Sequence, residues 1–132
     1  MITVSTDKSK LDVSFIQSFL KDVYWAAGRT IDEVQTTIDA SFCFGIYLDE
    51  KQIGFCRVIT DYVVFAYVMD VFIDETHRGK GYSSVLIHAM MNEPQLQDIK
   101  IWRLATSDAH FLYQKFGFKS LTHPEKMMEK IK

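Results

Sequence analysis

The feature that most constrains the fold is a long apolar segment, residues 63–73, which a polar turn and a glycine-containing loop follow at once. The segment is rich in Val, Phe and Tyr, the residue types that favour β-strands. Beyond the glycines, apolar residues recur at helical spacing: Tyr82, Val85, Leu86, Ala89 and Met90. Such spacing is typical of a helix that packs one face against a sheet. The sequence therefore predicts a central strand joined by a short loop to a packed helix.

The remaining segments predict the element order βααβββαβαββ. A helix from about residue 12 to 26 precedes a second helix to about residue 40, which begins with the capping-box pattern of Thr30 and Glu33. A last short helix covers residues 109–116. Further strands are predicted over residues 2–6, 42–48, 52–60, 99–105, 118–121 and 126–131. Because strands and helices are mixed along the chain, we expect an α/β fold with helices on both faces of one mixed sheet.

Length and composition bound the class of protein. With 132 residues, 48% of them hydrophobic, the chain is expected to form one domain over residues 1–132. The formal net charge is −2 and no Lys or Arg cluster is present, so nucleic acid is not an expected partner. No stretch of about 18 apolar residues occurs, and the first residues lack the pattern of a signal peptide. We therefore expect no membrane insertion and a cytoplasmic location.

The cysteines and histidines do not show the pattern of a metal site. Cys43 and Cys56 lie in apolar segments and have no second pair with which to form a zinc cage, so we interpret them as buried thiols. The histidines lack the spacing of metal ligands. We expect no metal cofactor.

The loop before the predicted helix has the character of an anion site. It contains Gly79 and Gly81, and it enters the helix at the end where backbone N–H groups lack partners inside the helix. Glycines let the backbone approach a ligand closely, and the positive end of the helix dipole favours a phosphate. The sequence thus predicts a phosphate-binding loop.

Three familiar loop motifs do not fit this segment. A Walker A loop requires Ser or Thr after its lysine, whereas Gly81 follows Lys80. The dinucleotide fingerprint requires Gly or Ala at the position of Ser84, and it normally opens a fold. A nucleophile elbow around Ser83 requires Gly where Val85 stands. The phosphate loop is therefore of another class.

Two motifs of this chain resemble those of the GNAT superfamily of N-acetyltransferases. The acetyl-CoA loop of that family reads Arg or Gln, two residues, Gly, one residue, then Gly or Ala. The matching residues here are Arg78, Gly79, Lys80, Gly81, Tyr82 and Ser83. Ser83 departs from the family preference for Gly or Ala. Downstream, Tyr113, three further residues, Gly117 and Phe118 are similar to the family's Tyr-x-x-x-Gly-Phe ending, and the resemblance covers roughly residues 40–122.

The resemblance implies a GNAT-like fold, with a mixed and mostly antiparallel central sheet, and acetyl-CoA as cosubstrate. In the family, the strand before the loop pairs through its backbone with the pantetheine arm, a role that falls here on Val71, Phe72 and Ile73. The amides of residues 79–83 would hold the pyrophosphate. Arg78 and Lys80 would add positive charge at its rim.

The resemblance also implies a general acid. Tyr113 matches the family tyrosine that lies near the thioester sulfur, where a phenol can protonate the leaving thiolate. Taken by periodicity alone, a tyrosine at this spacing is more typical of core packing. We predict the catalytic role for Tyr113 and keep packing as its alternative.

The base that would deprotonate the amine is less well defined. Asp70 interrupts the apolar segment 63–73, which makes it the leading candidate. Its alternative interpretation is a carboxylate paired with Arg57. Asp61 and Glu75 are weaker candidates, and some members of the family rely on water for this step.

The acceptor site is expected between the first two predicted helices, where related enzymes build it. Tyr24, Trp25 and Arg29 occupy this stretch and are the candidate substrate-binding residues, with core packing and a helix end as the alternative. Asp108 fits an N-cap of the last helix, with substrate binding as its alternative.

Together these features predict an enzyme that transfers an acetyl group from acetyl-CoA to a primary amine by direct attack on the thioester. The acceptor would be a small-molecule or peptide amine, because the loop binds only the donor. The alternative is a noncatalytic acyl-CoA-binding sensor. A third hypothesis is an interaction protein or homodimer, since 14% aromatic residues and the six methionines could supply a dimer surface.

Overall fold

The computed structural model of the chain describes residues 1–23 and 27–132. Four helices are α1 (Val13–Leu20), α2 (Ile31–Asp39), α3 (Tyr82–Met91) and α4 (His110–Gln114) in these ranges. The strands are β1 (Ile2–Ser5), β2 (Phe42–Leu48), β3 (Lys51–Thr60), β4 (Phe65–Ile73) and β5 (Ile101–Arg103). Short 3₁₀ turns cover Lys8–Lys10, Glu75–His77, Pro94–Leu96 and Pro124–Lys126.

The strands form one sheet in the order β1-β2-β3-β4-β5. Neighbouring strands are antiparallel up to β4, and β5 alone runs parallel to its neighbour β4. A parallel pair needs a crossover, and α3 supplies it. The prediction of a mixed, mostly antiparallel sheet is confirmed.

The helices lie on both faces of the sheet, as predicted. α1 and α2 pack with one face of the sheet around Phe55 and Phe72. α3 and α4 pack on the opposite face, and their buried residues Leu86, Ile87 and Leu112 belong to the larger of the two cores. β2, β3 and β4 thus contribute alternate residues to two separate cores.

The start of α2 confirms the predicted capping box. The Thr30 hydroxyl accepts a hydrogen bond from the Glu33 amide at 3.1 Å, and the Glu33 carboxylate accepts one from the Thr30 amide at 2.9 Å. At α1, the Asp12 carboxylate accepts the Phe15 amide at 3.0 Å. α1 ends at Leu20, before the predicted end at residue 26, and residues 24–26 of that prediction lie outside the described residues.

A bulge interrupts the pairing of β3 with β4. Phe55 is opposite Phe72, and Arg57 is opposite Met69, so a single β3 residue faces two residues of β4. One of the two is Asp70, which has φ 56°. This left-handed conformation is one that Asp adopts more readily than most residues other than Gly.

Shortly before the bulge, β4 loses its neighbour on the other side. β5 pairs only with Phe65, Ala66 and Tyr67 at the start of β4. From Val68 onward, this edge of β4 has no strand beside it within the described ranges. The sheet therefore opens into a gap between the second half of β4 and the segment that follows β5.

The predicted strands over residues 118–121 and 126–131 are wrong. The chain after α4 contains only the 3₁₀ turn Pro124–Lys126, and residues 119–132 are all exposed. A strand needs a partner for its backbone and a face to bury, and this segment has neither within the described part of the chain. β5 is also shorter than predicted, since only Ile101–Arg103 has pairing along β4.

The cysteines have the predicted environment. Cys43 and Cys56 are free and buried. Burial raises the pKa of Cys43 to about 11 and also raises the pKa of Cys56, so neither thiol is a reactive thiolate at neutral pH. In the described ranges, no helix is long and apolar enough to span a bilayer.

Gly54→Ala is expected to lower the free energy of unfolding by about 1–3 kcal/mol. The added Cβ would lie 2.6 Å from the Phe72 carbonyl oxygen, and a paired strand backbone cannot move away easily. Gly45→Ala is the matched control, because its Cβ would meet the hydroxyl end of the Tyr47 side chain. Urea denaturation of both variants measures the difference. A larger loss in Gly45→Ala would contradict the close approach of β3 to β4.

Candidate functional site

The predicted phosphate loop connects the 3₁₀ turn Glu75–His77 to α3. Arg78 docks the start of this loop onto the end of β4, because its Nε donates to the Ile73 carbonyl oxygen at 3.1 Å. The Arg78 guanidinium also lies 5.9 Å from the ring centroid of Phe19 in α1. The loop thus leaves the strand at a fixed angle.

The two glycines of the loop have conformations that other residues rarely adopt. Gly79 has φ 78°, and Gly81, the N-cap of α3, has φ 80°. A Cβ added at either glycine would have no atom within 4 Å, so the requirement is one of backbone conformation and the space above the loop is open.

The amides of residues 79–84 are available to a ligand. They donate to no acceptor within the described ranges, and α3 has no side-chain cap. The first bond at this end of the helix runs from the Val85 amide to the Gly81 carbonyl oxygen at 3.3 Å. Consecutive free amides at the positive end of a helix are suited to bind a phosphate group.

A cavity of about 490 Å³ fills the gap between β4 and the chain that follows β5. Its walls are the β4 residues Tyr67, Val68, Met69, Asp70 and Val71, together with residues 104–109 and Tyr113. The cavity lies where the β4 edge lacks a neighbouring strand. A ligand in it could therefore form hydrogen bonds with the β4 backbone as a strand would.

This cavity reaches both faces of the sheet. Val68 and Val71 pack with the core of α3 and α4. Met69 contacts Arg57 on the opposite face, where α1 and α2 lie, and strand alternation places Tyr67 on that same face. Two molecules could therefore approach the gap from opposite sides of the sheet.

Tyr113 lies on α4 at the wall of this cavity. Its side chain is buried, and its ring packs edge-on against Phe118 with centroids 5.9 Å apart. Tyr113 also lines a second cavity of about 370 Å³. Burial raises the pKa of Tyr113 to about 12, and the negative charge of the nearby Asp108 acts in the same direction. The phenol is therefore protonated at neutral pH.

The helix that carries Tyr113 ends as the motif predicts. Gly117 has φ 92°, and the Phe118 amide donates to the Tyr113 carbonyl oxygen at 3.2 Å. The turn folds Phe118 back against Tyr113 and fixes the position of its ring.

Asp70 is a buried carboxylate held by two arginines. Its Oδ2 accepts Nε of Arg57 at 2.7 Å and Nη1 of Arg29 at 2.6 Å. Its Oδ1 is buried without a partner within the described ranges. The pairing with Arg57 is the alternative that the sequence suggested, whereas the contact with Arg29 could not be foreseen from the sequence.

The same network ties the connection between α1 and α2 to β4. Arg57 donates through Nη1 to the Ser41 hydroxyl at 3.1 Å, just after α2. The Arg29 carbonyl oxygen accepts Gln17 of α1 at 3.0 Å. Arg29, a predicted substrate-binding residue, is therefore fixed beside the bulge, while the predicted residues Tyr24 and Trp25 lie outside the described residues.

The other residues predicted at the donor site have varied positions. Val71 lines the cavity, while the side chains of Phe72 and Ile73 are buried in opposite cores. Only the backbone of those two residues could contact a ligand at the strand edge. Lys80 is exposed, and Tyr82 and Ser83 begin α3.

The weaker base candidates lie outside the cavity wall. The Asp61 carboxylate accepts the amides of Val63, Val64 and Phe65 in the turn before β4, and Glu75 is exposed in its 3₁₀ turn. Within the described ranges, no three His, Cys, Asp or Glu side chains converge as metal ligands would.

The prediction that Asp108 caps the last helix is wrong. The N-cap position of α4 is Ala109, whose amide donates to the Thr106 hydroxyl at 3.1 Å. Asp108 lines the cavity instead. Nothing in the sequence predicted Leu104 as a wall residue, and the only signal for Tyr67 and Met69 was their alternation with Val68.

Comparison with known proteins identifies relatives of this chain. The family profile described as "Acetyltransferase (GNAT) domain" matches residues 39–120. A candidate acetyltransferase of Gibberella zeae is 30% identical over an alignment of 140 residues, which covers 88% of this chain and 78% of the relative.

Solved structures share the fold. A candidate GNAT-family acetyltransferase from Xanthomonas campestris pv. campestris is 45% identical, with a TM-score of 0.95 over 99% of this chain and 93% of that one. A candidate acetyltransferase from Clostridium acetobutylicum, solved with acetyl-CoA, is 16% identical, with a TM-score of 0.73 over 99% of this chain and 96% of that one. At this identity the second likeness concerns the fold alone.

Tyr113 is expected to ionise with a midpoint near 12, against an ordinary value of 10.0. Because the fold favours the neutral phenol, this contribution to stability is complete below pH 10 and is lost as the pH rises toward 12. The difference in phenolate absorbance between the wild type and Tyr113→Phe measures the midpoint. Tyr62→Phe, at an exposed tyrosine, is the control. A Tyr113 midpoint near 10 would contradict its burial.

Proposed function

This chain belongs to the GNAT family of acetyltransferases, and on that premise we propose that it transfers an acetyl group from acetyl-CoA to a primary amine. The observation that carries the proposal is the gap between β4 and the segment after β5, with a protonated tyrosine in its wall and a loop with free amides following β4 along the chain. A small-molecule or peptide amine would be the acceptor. The buried free thiols favour a reducing compartment such as the cytoplasm.

Acetyl-CoA, the donor, would bind along the loop and the open edge of β4. The amides of residues 79–83 would bind the pyrophosphate of acetyl-CoA, with the positive charge of Lys80 beside it. The Arg78 guanidinium would contribute at the same end while its Nε stays on the Ile73 carbonyl oxygen. The pantetheine arm would lie along Val71, Phe72 and Ile73 and pair with the open backbone edge.

The chemical step needs the thioester beside Tyr113. The ammonium first loses one proton to solvent, and the amine nitrogen then attacks the acetyl carbonyl carbon. As the C–N bond forms and the C–S bond breaks, the nitrogen loses its second proton to water and the thiolate accepts one from the Tyr113 hydroxyl. Solvent returns a proton to Tyr113. The products are the N-acetylamine, CoA as its thiol and one proton.

The raised pKa of Tyr113 is compatible with this role. A buried phenol stays protonated at neutral pH, so it can donate to the sulfur as negative charge develops there. The same water-poor surroundings raise the proton affinity of the leaving thiolate, which keeps the transfer between matched partners. Backbone N–H groups at the bulge would polarise the thioester carbonyl.

The contacts of Asp70 favour a supporting role over that of the base. Two guanidinium groups bind its Oδ2, so the carboxylate already has partners of opposite charge. We propose that it holds the bulge and the connection between α1 and α2, and that water accepts the proton of the amine. The cavity between β4 and the segment after β5 leaves room for that water.

Tyr113→Phe is expected to lower kcat at least about tenfold, with acetyl-CoA affinity unchanged, because the variant loses only the proton donor. Thiol release from acetyl-CoA with a panel of primary amines measures kcat, and calorimetry measures binding. Tyr62→Phe is the control, since this exposed tyrosine lies outside the cavity. Acetyl-CoA binding without thiol release for any amine would favour the sensor hypothesis, and no binding at all would contradict the loop assignment.

A further inference from the structure

The charges in the cavity wall distinguish between classes of acceptor. Its described wall contains no Lys, Arg or His, and its acidic residues are Asp70 and Asp108. The charge of Asp70 is already compensated by Arg29 and Arg57. Asp108 is therefore the one uncompensated charge in the described part of the wall.

Asp108 has no evident structural role among the described residues. It is exposed, it takes part in no hydrogen bond or ion pair there, and it does not cap α4. The amide of Ala109, the N-cap position, donates to the Thr106 hydroxyl. A carboxylate at a cavity wall without a partner is suited to bind a cation.

Asp108 also lies near the reacting atoms of the proposed function. It lines the same cavity as Tyr113, which follows it by five residues in the chain. The negative charge of Asp108 also helps to raise the pKa of the Tyr113 phenol, in keeping with their places in one cavity wall. An ammonium bound by Asp108 would therefore be held beside the proposed position of the thioester.

Apart from Asp70, the β4 residues that line the cavity on the face of α1 and α2 carry no charge. They are Tyr67 and Met69, whereas Leu104, which follows β5, packs with the core on the opposite face. Aromatic and thioether groups pack well against alkyl or aryl chains, and an aromatic ring also attracts an ammonium. A second charge on the acceptor would have no partner along this wall within the described ranges.

Resting on the proposed function, we propose that the acceptor is a small primary amine on an apolar alkyl or aryl arm, and that Asp108 binds its ammonium group. The apolar arm packs against Tyr67 and Met69, while the carboxylate orients the nitrogen toward the gap. The ammonium then loses its proton to water before attack, as in the proposed reaction.

An acceptor with its own carboxylate would need a cation instead. Arg29 and Arg57 are both bound to Asp70, and neither lines the cavity. Amino acids are therefore expected to be poor acceptors. Polyamines are expected to be poor as well, because their further charges would be desolvated without partners.

The acceptor class is tested with four probes: 2-phenylethylamine, n-hexylamine, glycine and spermidine. The kcat/KM measured by thiol release should be at least about tenfold higher for 2-phenylethylamine and n-hexylamine than for glycine and spermidine. Each methylene that the apolar arm buries favours binding, and the arms of the first two probes bury several. A higher kcat/KM for glycine or spermidine overturns the proposal. The absence of thiol release with all four probes also overturns it. Calorimetry of acetyl-CoA binding then shows whether the proposed donor site binds acetyl-CoA.

The role of Asp108 is tested with Asp108→Asn, which removes the charge and keeps the shape. KM for 2-phenylethylamine should rise about tenfold or more, with kcat changed far less and acetyl-CoA affinity unchanged, because only the contact with the ammonium is lost. Asp108→Glu should recover part of the affinity. Asp98→Asn removes the same charge from an exposed site outside this cavity and should behave as the wild type. An unchanged KM in Asp108→Asn, or an equal rise in Asp98→Asn, overturns the role of Asp108.

Discussion

The buried carboxylate of Asp70 is the interaction on which the arrangement of this site depends. A buried charge is stable only with partners, and here both partners are arginines, one from the adjacent strand and one from the connection between α1 and α2. The carboxylate belongs to a residue with a left-handed backbone, at the bulge that shifts the register of β4. One ion cluster thus holds the bulge in place and ties the connection between α1 and α2, the proposed acceptor side, to the central strand.

The gap in the sheet follows from the same region. β5 pairs with β4 over three residues and then diverges, so the open edge of β4 begins close to the bulge. The loop of residues 78–83 lies on the side of α3, while the Arg29 connection lies on the side of α1 and α2. A donor and an acceptor can therefore meet inside the sheet from opposite faces, with Tyr113 in the wall between them. Direct transfer needs this geometry, because both reactants must reach one carbon atom.

The sequence predicted the parts of the structure that depend on local pattern. Apolar periodicity and the glycine spacing predicted β4, the loop and α3, and the Thr30 and Glu33 pair predicted the start of α2. The prediction of two C-terminal strands was wrong, because an apolar pattern does not show whether a partner strand and a covering layer exist. The ion cluster was only half predicted, since Arg29 and Asp70 are far apart in sequence. The cavity wall and the free Asp108 likewise depend on how β4 and β5 diverge, which no local pattern encodes.

Amide hydrogen exchange with and without saturating acetyl-CoA reports directly on the backbone N–H groups that we propose bind acetyl-CoA. We predict slower exchange for the amides of residues 79–83 and along the open edge of β4 from Val68 to Ile73 when acetyl-CoA is bound. The turn of residues 61–64, remote from the loop along the strand, should exchange at the same rate in both states. Unchanged exchange at residues 79–83 under saturating acetyl-CoA would contradict the binding of acetyl-CoA by these amides.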